Sequence, residues 1–198
     1  MLLTTAVVAQ DNVTFESKSA KITVSPQGGR IVSFTDKATG TQLATAQGLC
    51  TDRELKTRLA EMGKSVYTLK PVDHGVEASY VVKDEKLQGI EYTKTYQASD
   101  ESPALVINLR IRNTGKKERT ISPWVFNQAM AGGSADNNDS FFIPATGGLG
   151  QIPLAKADKT IADNFTENPR AGWIAVMDSK KRQGVIALCE KDKLQRFC

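Results

Sequence analysis

The sequence predicts an all-β protein, an antiparallel β-sandwich with one short helix near residues 51–62. Three observations predict it. Apolar residues recur at every second position over most segments, the period of a half-buried strand. Gly, Pro, Asn and Asp cluster between those segments, where the chain must turn. Strands do not alternate with helical patterns, so a parallel nucleotide-binding sheet is not expected. Composition agrees: of 198 residues, 40% are hydrophobic and 24% charged, with 15 Gly and 7 Pro. Those values exclude collagen, coiled coil and wholesale disorder.

The elements follow in chain order. Lys21 to Ser25 alternates and is ended by Pro26-Gln27-Gly28-Gly29. Ile31, Val32 and Phe34 form the next strand, closed by a turn at Asp36–Gly40. Thr51 to Met62 breaks the period-two pattern: Leu55, Leu59 and Met62 stand at helical spacing, with Thr51 or Asp52 as cap and Gly63 as stop. Val66–Leu69 and Val76–Val82 are strands joined by Pro71-Val72-Asp73-His74-Gly75. Gly89–Tyr96 puts Ile90, Tyr92 and Tyr96 on one face, with Lys94 among them. From Leu105 to Arg112, Leu105, Ile107, Leu109 and Ile111 share the expected core face, and Val106, Asn108, Arg110 and Arg112 the wet one. Trp173–Met177 and Val185–Leu188 form a hairpin. Asn127–Gly150 and Ala155–Arg170 are rich in Gly, Asn, Asp and Ala and are expected to be long loops.

No repeat or linker interrupts the chain, so residues 10–198 are expected to form one domain. Residues 1–9 end in small residues before polar Gln10-Asp11-Asn12, like the remnant of a secretory signal, though without its positive start. This predicts a secreted or periplasmic protein. The alternation that starts at Leu194 runs to the last residue, Cys198, which suggests truncation at the C-terminus. No apolar stretch is long enough for a membrane-spanning helix.

Charge and reactive residues narrow the chemistry. The net charge of +4 is too mild to name nucleic acid as a partner, and the basic runs Lys116-Lys117 and Lys180-Lys181-Arg182 lack interleaved aromatics. One His, His74, excludes any mechanism that needs two, and Asp73-His74-Gly75 places it in a turn. The three Cys fit no zinc spacing. Asp136-Asn137-Asn138-Asp139 offers oxygen ligands but lacks the EF-hand spacing and its terminal Glu, so no metal is assigned and calcium there stays open. No cofactor is expected. Asp163-Asn164 and Glu167-Asn168 supply carboxylates with no partner at known separation.

Ile22-Thr23-Val24-Ser25-Pro26-Gln27-Gly28-Gly29-Arg30-Ile31-Val32-Ser33-Phe34, then Asp36 and Thr39-Gly40, resemble the opening strands of the galactose mutarotase-like (aldose epimerase-like) supersandwich family. Leu105–Arg112 with Asn113-Thr114-Gly115 resembles its central strand and turn, and Trp173–Val176 with Gly184–Ala187 a late hairpin. The resemblance implies a large β-sandwich that handles carbohydrate. It also implies, for active epimerases, a His beside aromatics after the central strand and a late Glu. Here that region is Ser122-Pro123-Trp124-Val125-Phe126-Asn127-Gln128, without His.

These residues give the candidate site. Trp124 would stack on a sugar's C–H face, Asn127 and Gln128 would pair with hydroxyls, and Arg110, with Asn108 beside it, would grip an acidic group in a fork. The alternative for Trp124 is a place in the core. Catalytic residues are unassigned. The expected function is carbohydrate recognition on a concave sheet face. Two alternatives remain: a sugar epimerase or glycan-degrading enzyme whose carboxylate lies beyond Cys198, and a structural or partner-binding sandwich with no sugar site. The sugar and the oligomeric state are left open.

Overall fold

A computed structural model describes residues 11–54, 60–145, 147–154, 166–167, 169–194 and 196–197. The signal-like start and the carboxylates of the 163–168 stretch lie outside the described residues or side chains. Every strand pairing among the described residues is antiparallel. The chain divides into two compact units, Met1–Gly40 with Ala44–Gln128, and Thr41–Leu43 with Ala129–Cys198.

The first unit begins with β1 (Val13–Glu16), β2 (Ala20–Ser25) and β3 (Arg30–Asp36), a three-stranded sheet in that order. The period-two pattern of β2 is realised in full: Ala20, Ile22 and Val24 are completely buried. The bend into β3 needs glycine. Gly28 and Gly29 have φ of 73° and 51°, values that side chains rarely adopt. A Cβ on Gly29 would stand 2.6 Å from the Tyr67 ring.

After β4 (Thr51–Glu54) come β5 (Thr68–Val72), β6 (Gly75–Val81), β7 (Ile90–Ala98) and β8 (Leu105–Asn113). The last four form a meander, and β9 (Pro123–Phe126) returns to pair with β4. Asp73 and His74 make the two-residue turn between β5 and β6, with the His74 φ at 53° and its side chain 62% exposed. On β7 the expected face is sealed: Ile90, Tyr92, Lys94 and Tyr96 are all buried.

Two expectations need correction here. Of the predicted helix over 51–62, Thr51–Glu54 is a strand and Ala60–Lys64 a short 3-10 turn, while residues 55–59 lie outside the described residues. Asp52 and Glu54 face inward and are buried, so a strand whose core side is acidic carries no hydrophobic period. The predicted core face of β8 is half open: Ile107 and Leu109 are 41% and 36% exposed. Among the described residues β8 is the edge of its sheet, paired only with β7, and alternation reports which residues share a face without telling whether anything covers it. A smaller difference is that β5 starts at Thr68, two residues after Val66, which makes only an isolated bridge to Gln27.

The second unit has β10 (Asp139–Ala145), β11 (Gly148–Pro153), β12 (Thr166–Glu167), β13 (Trp173–Asp178), β14 (Gln183–Leu188) and β15 (Arg196–Phe197). Four of them form a sheet in the order β11-β10-β13-β14, and β12 pairs with β15. The β13–β14 hairpin is as expected. The expected loop over Asn127–Gly150 instead contains β10 and the start of β11. Pro144, Gly148 and Gly150 lie within this hairpin, and these residue types usually mark breaks. Residues 155–165 of the other expected loop lie outside the described set.

Gly29→Ala should destabilise the first unit by about 2–3 kcal/mol, from φ strain and overlap with Tyr67 together. Urea denaturation checks this; an unchanged midpoint would mean that the bend is not held against Tyr67.

Candidate functional site

β4 and β9 make a two-stranded ribbon whose faces differ in chemistry. The register pairs Arg53 with Trp124 and Thr51 with Phe126, and directly opposed residues share a face. Asp52 and Glu54 therefore occupy the other face. Asp52 and Glu54 are both 1% exposed, Arg53 is exposed, and Trp124 and Phe126 are half-buried. The ribbon thus turns its acids inward, with exposed Val125 and Pro123 opposite them, and carries exposed Arg53 with half-buried Trp124 and Phe126 on its other face.

The inner side explains why this strand is possible. The Lys94 ammonium lies 2.9 Å from Asp52 Oδ2 and donates to the carbonyls of Cys50 at 2.7 Å and Gly28 at 3.1 Å. Three acceptors match its three protons. The Tyr67 hydroxyl donates to Asp52 Oδ2 at 2.6 Å, and Tyr96 donates to the Gly29 carbonyl at 2.6 Å. Glu54 Oε1 accepts from the backbone N–H of Ser122 at 2.6 Å. Burial pushes the Tyr67 phenol far up, helped by the Asp52 charge, and burial does the same to Tyr96. All these hydroxyls are donors at any physiological pH.

The segment before β4 is fixed with equal care. Cys50 has φ 60°, a left-handed backbone that is uncommon for a non-glycine residue. It is held from both sides: Asn127 Oδ1 accepts from the Cys50 N–H at 2.9 Å, while Lys94 takes the Cys50 carbonyl. Burial, opposed in part by Lys94, pushes the Cys50 thiol up to about 12. Gln128 Oε1 accepts from Thr45 Oγ1 at 3.3 Å, and its backbone N–H donates to the Gly48 carbonyl at 3.1 Å.

The five residues expected to bind ligand therefore separate. Trp124, Asn127 and Gln128 lie together at β9 and its exit, but the side-chain oxygens of both amides fasten β9 to residues 45–50. Their N–H groups are what remains for a ligand. Asn108 and Arg110 lie on β8, in another sheet, opposite Thr95 and Thr93, and both are exposed. Next to them Arg112 grips Glu91 Oε2 through two nitrogens, at 2.8 and 3.0 Å.

Sequence reasoning missed Arg53. Its guanidinium lies 4.3 Å from the centre of the Phe126 ring, within the range of a cation–π contact. Arg53 thus stands over Phe126 and in register with Trp124, and a guanidinium carries N–H donors around its planar edge. The only signal in the sequence was the period-two placement of Asp52 and Glu54 around it.

Solved structures share this architecture. A galactose mutarotase related enzyme from Lactobacillus acidophilus matches with a TM-score of 0.60 at 13% identity, over 85% of this chain and 74% of that one. A putative aldose 1-epimerase from Escherichia coli K12 matches with 0.64 at 10% identity, over 89% and 76%. A galactose mutarotase-like protein from Lactobacillus casei matches with 0.63 at 11% identity, over 85% and 76%. The chain has the galactose mutarotase-like fold. No family model matches it, and no curated protein matches its sequence. The mutarotase-like architecture is thus kept with little sequence in common, and a shared fold leaves the chemistry of the site to be argued from its own residues.

Two outcomes follow from the inner network. Lys94→Met should destabilise the protein by about 3–5 kcal/mol, because it strands the buried Asp52 charge. Adding Asp52→Asn should recover part of that loss; an additive double-mutant cycle in urea would refute the coupling. Separately, Cys50 should resist a thiol reagent at pH 8 until the protein unfolds, since its thiolate is scarce and its side chain buried. Mass spectrometry of the labelled peptides reads this, and labelling of Cys50 in the native protein would contradict it.

Proposed function

We propose that this chain is a carbohydrate-recognition domain that binds a sugar on the Arg53–Trp124 face of the β4–β9 ribbon. The observation that carries the reading is the pairing of half-buried Trp124 with exposed Arg53, backed by an acidic inner face that fixes both strands. A sugar ring has an apolar C–H patch and an equatorial rim of hydroxyls. An indole face covers the first, and a planar guanidinium with amide N–H groups serves the second. Arg53 takes the role first expected of Arg110, because it is the cation in register with the indole. The mutarotase-like fold supports a sugar-related role at the level of architecture, and the neighbouring solved structures carry sugar-epimerase names.

Recognition is favoured over epimerisation for a chemical reason. Ring opening needs one group to protonate the ring oxygen and another to take the anomeric proton. The one His is in the β5–β6 turn, and the β4 carboxylates are turned inward and bonded to Lys94, Tyr67 and Ser122. Export to the periplasm or outside the cell is part of the same proposal. It rests on the signal-like residues 1–9, and N-terminal sequencing of the protein from fractionated cells tests it.

Trp124→Ala should keep the fold and lower the affinity for the bound sugar by about tenfold or more, the loss of one aromatic stacking platform. A glycan array on the intact chain selects the sugar, and calorimetry compares wild type, Trp124→Ala and Arg53→Ala. Retained affinity in Trp124→Ala with a native circular dichroism spectrum would remove the indole from the site.

A further inference from the structure

We propose that Asp136, Asp139 and Asp178 form a binding site for a hard divalent cation, calcium, in the second unit. The site is separate from the β4–β9 ribbon and does not depend on the sugar reading. Asp139 opens β10 and Asp178 closes β13, and the register sets these two residues directly opposite each other. They are 2% and 1% exposed. Two buried carboxylates across a strand pair repel unless something positive lies between them.

Each is tied down through one oxygen only. Asp178 Oδ1 accepts from the N–H groups of Lys180 and Lys181, both at 2.8 Å. Asp139 Oδ2 accepts from the Asp136 N–H at 3.2 Å. The other oxygens, Asp139 Oδ1 and Asp178 Oδ2, are buried and accept no hydrogen bond from the described residues. Buried carboxylate oxygens without a donor are rare, and an ion is one of the partners that satisfy them. Asp136 completes the set from the half-buried side, held by Asn138 at 2.8 Å and Ser134 at 3.0 Å. One oxygen from each of the three lies within 4.8 Å of the others, a span that a calcium ion bridges with ligands at about 2.3–2.6 Å.

The local charge agrees. Lys181 is the cation beside the cluster, but its ammonium donates to the Gly132 carbonyl at 2.8 Å and Ser134 Oγ at 2.7 Å, and lies 3.8 Å from Asp178 Oδ2. Among the described residues, one ammonium at the rim opposes three carboxylates. Oxygen-only ligands of high charge select calcium or magnesium over zinc or copper, and a set of three protein carboxylates suits calcium, since magnesium sheds its waters reluctantly. The run Asp136–Asp139 alone lacked a calcium motif. The fold supplies the missing ligand, Asp178, from a distant strand.

The test is calorimetric titration of calcium into the full chain after chelator treatment, with the thermal midpoint followed in parallel. A saturable single-site isotherm and a raised midpoint are expected, with magnesium weaker. Asp139→Asn and Asp178→Asn keep an oxygen for their backbone donors, so both should fold, and should bind calcium about tenfold more weakly or worse. Asp136→Asn, at the half-buried position, gives the same reading with less risk to the fold. Lys181→Met should bind at least as tightly as wild type. The proposal is overturned if the wild type shows no saturable heat and no midpoint shift up to about 10 mM calcium, which would leave Lys181 as the cluster's own cation. Equal binding by wild type and all three Asp variants would overturn it as well.

Discussion

One buried ammonium holds the first unit together. Lys94 reaches from β7 to Asp52 of β4 and to the backbone carbonyls of Gly28 and Cys50. An apolar side chain of similar length would fill the same space without the desolvation penalty of a charge. It would leave two carbonyls without a donor, and those carbonyls exist because the chain bends at Gly28-Gly29 and turns left-handed at Cys50. Backbone groups that leave the ladder inside a core must find partners there. Lys94 is that partner, and Asp52 is its counterion. The buried charge is therefore a consequence of the irregular backbone, which in turn sets where β4 starts and which of its side chains face outward.

The same constraint links the core to the candidate site. β4 is only four residues long, and its face assignment rests on Asp52 and Glu54 being held inward. With those two fixed, Thr51 and Arg53 fall on the other face, because neighbours on a strand alternate, and of the two Arg53 is exposed. The register with β9 then brings Trp124 beside Arg53 and Phe126 beneath its guanidinium. Asn127 and Gln128 lock that register by binding residues 45–50. Their carbonyls are used in building the site, which limits what they offer a sugar and puts more of the recognition on Trp124 and Arg53.

Much of the fold was legible in the sequence and the heart of the site was not, for reasons visible in particular residues. β2 and β7 alternate cleanly, and both are sealed against other elements as their patterns predict. Lys94 stood on the apolar face of β7 in the sequence itself, a buried-cation signal with no visible partner, since its partner was assigned to a helix. β4 was illegible because its inward residues are acids and its outward one a cation, the reverse of a hydrophobic period. β10 and β11 were hidden by Pro144, Gly148 and Gly150. The pattern of β8 gave the right faces and the wrong burial, because coverage is a property of neighbours that no single strand encodes.

Asp52 and the Asp139–Asp178 pair show how similar residues acquire different roles from their surroundings. Asp52 is buried with a cation and a phenol aimed at one oxygen, so its charge is matched within the protein. Asp139 and Asp178 are buried to the same degree, yet the nearest ammonium is held off by other acceptors. Ordered N–H donors on one oxygen fix the orientation of each carboxylate and leave its other oxygen without a hydrogen-bond donor among the described residues. A pair so arranged is preorganised for a positive ion in a way that Asp52 is not. The difference lies in the donors: two side chains, the Lys94 ammonium and the Tyr67 phenol, serve Asp52, whereas backbone N–H groups in the bends after β13 and before β10 serve Asp178 and Asp139.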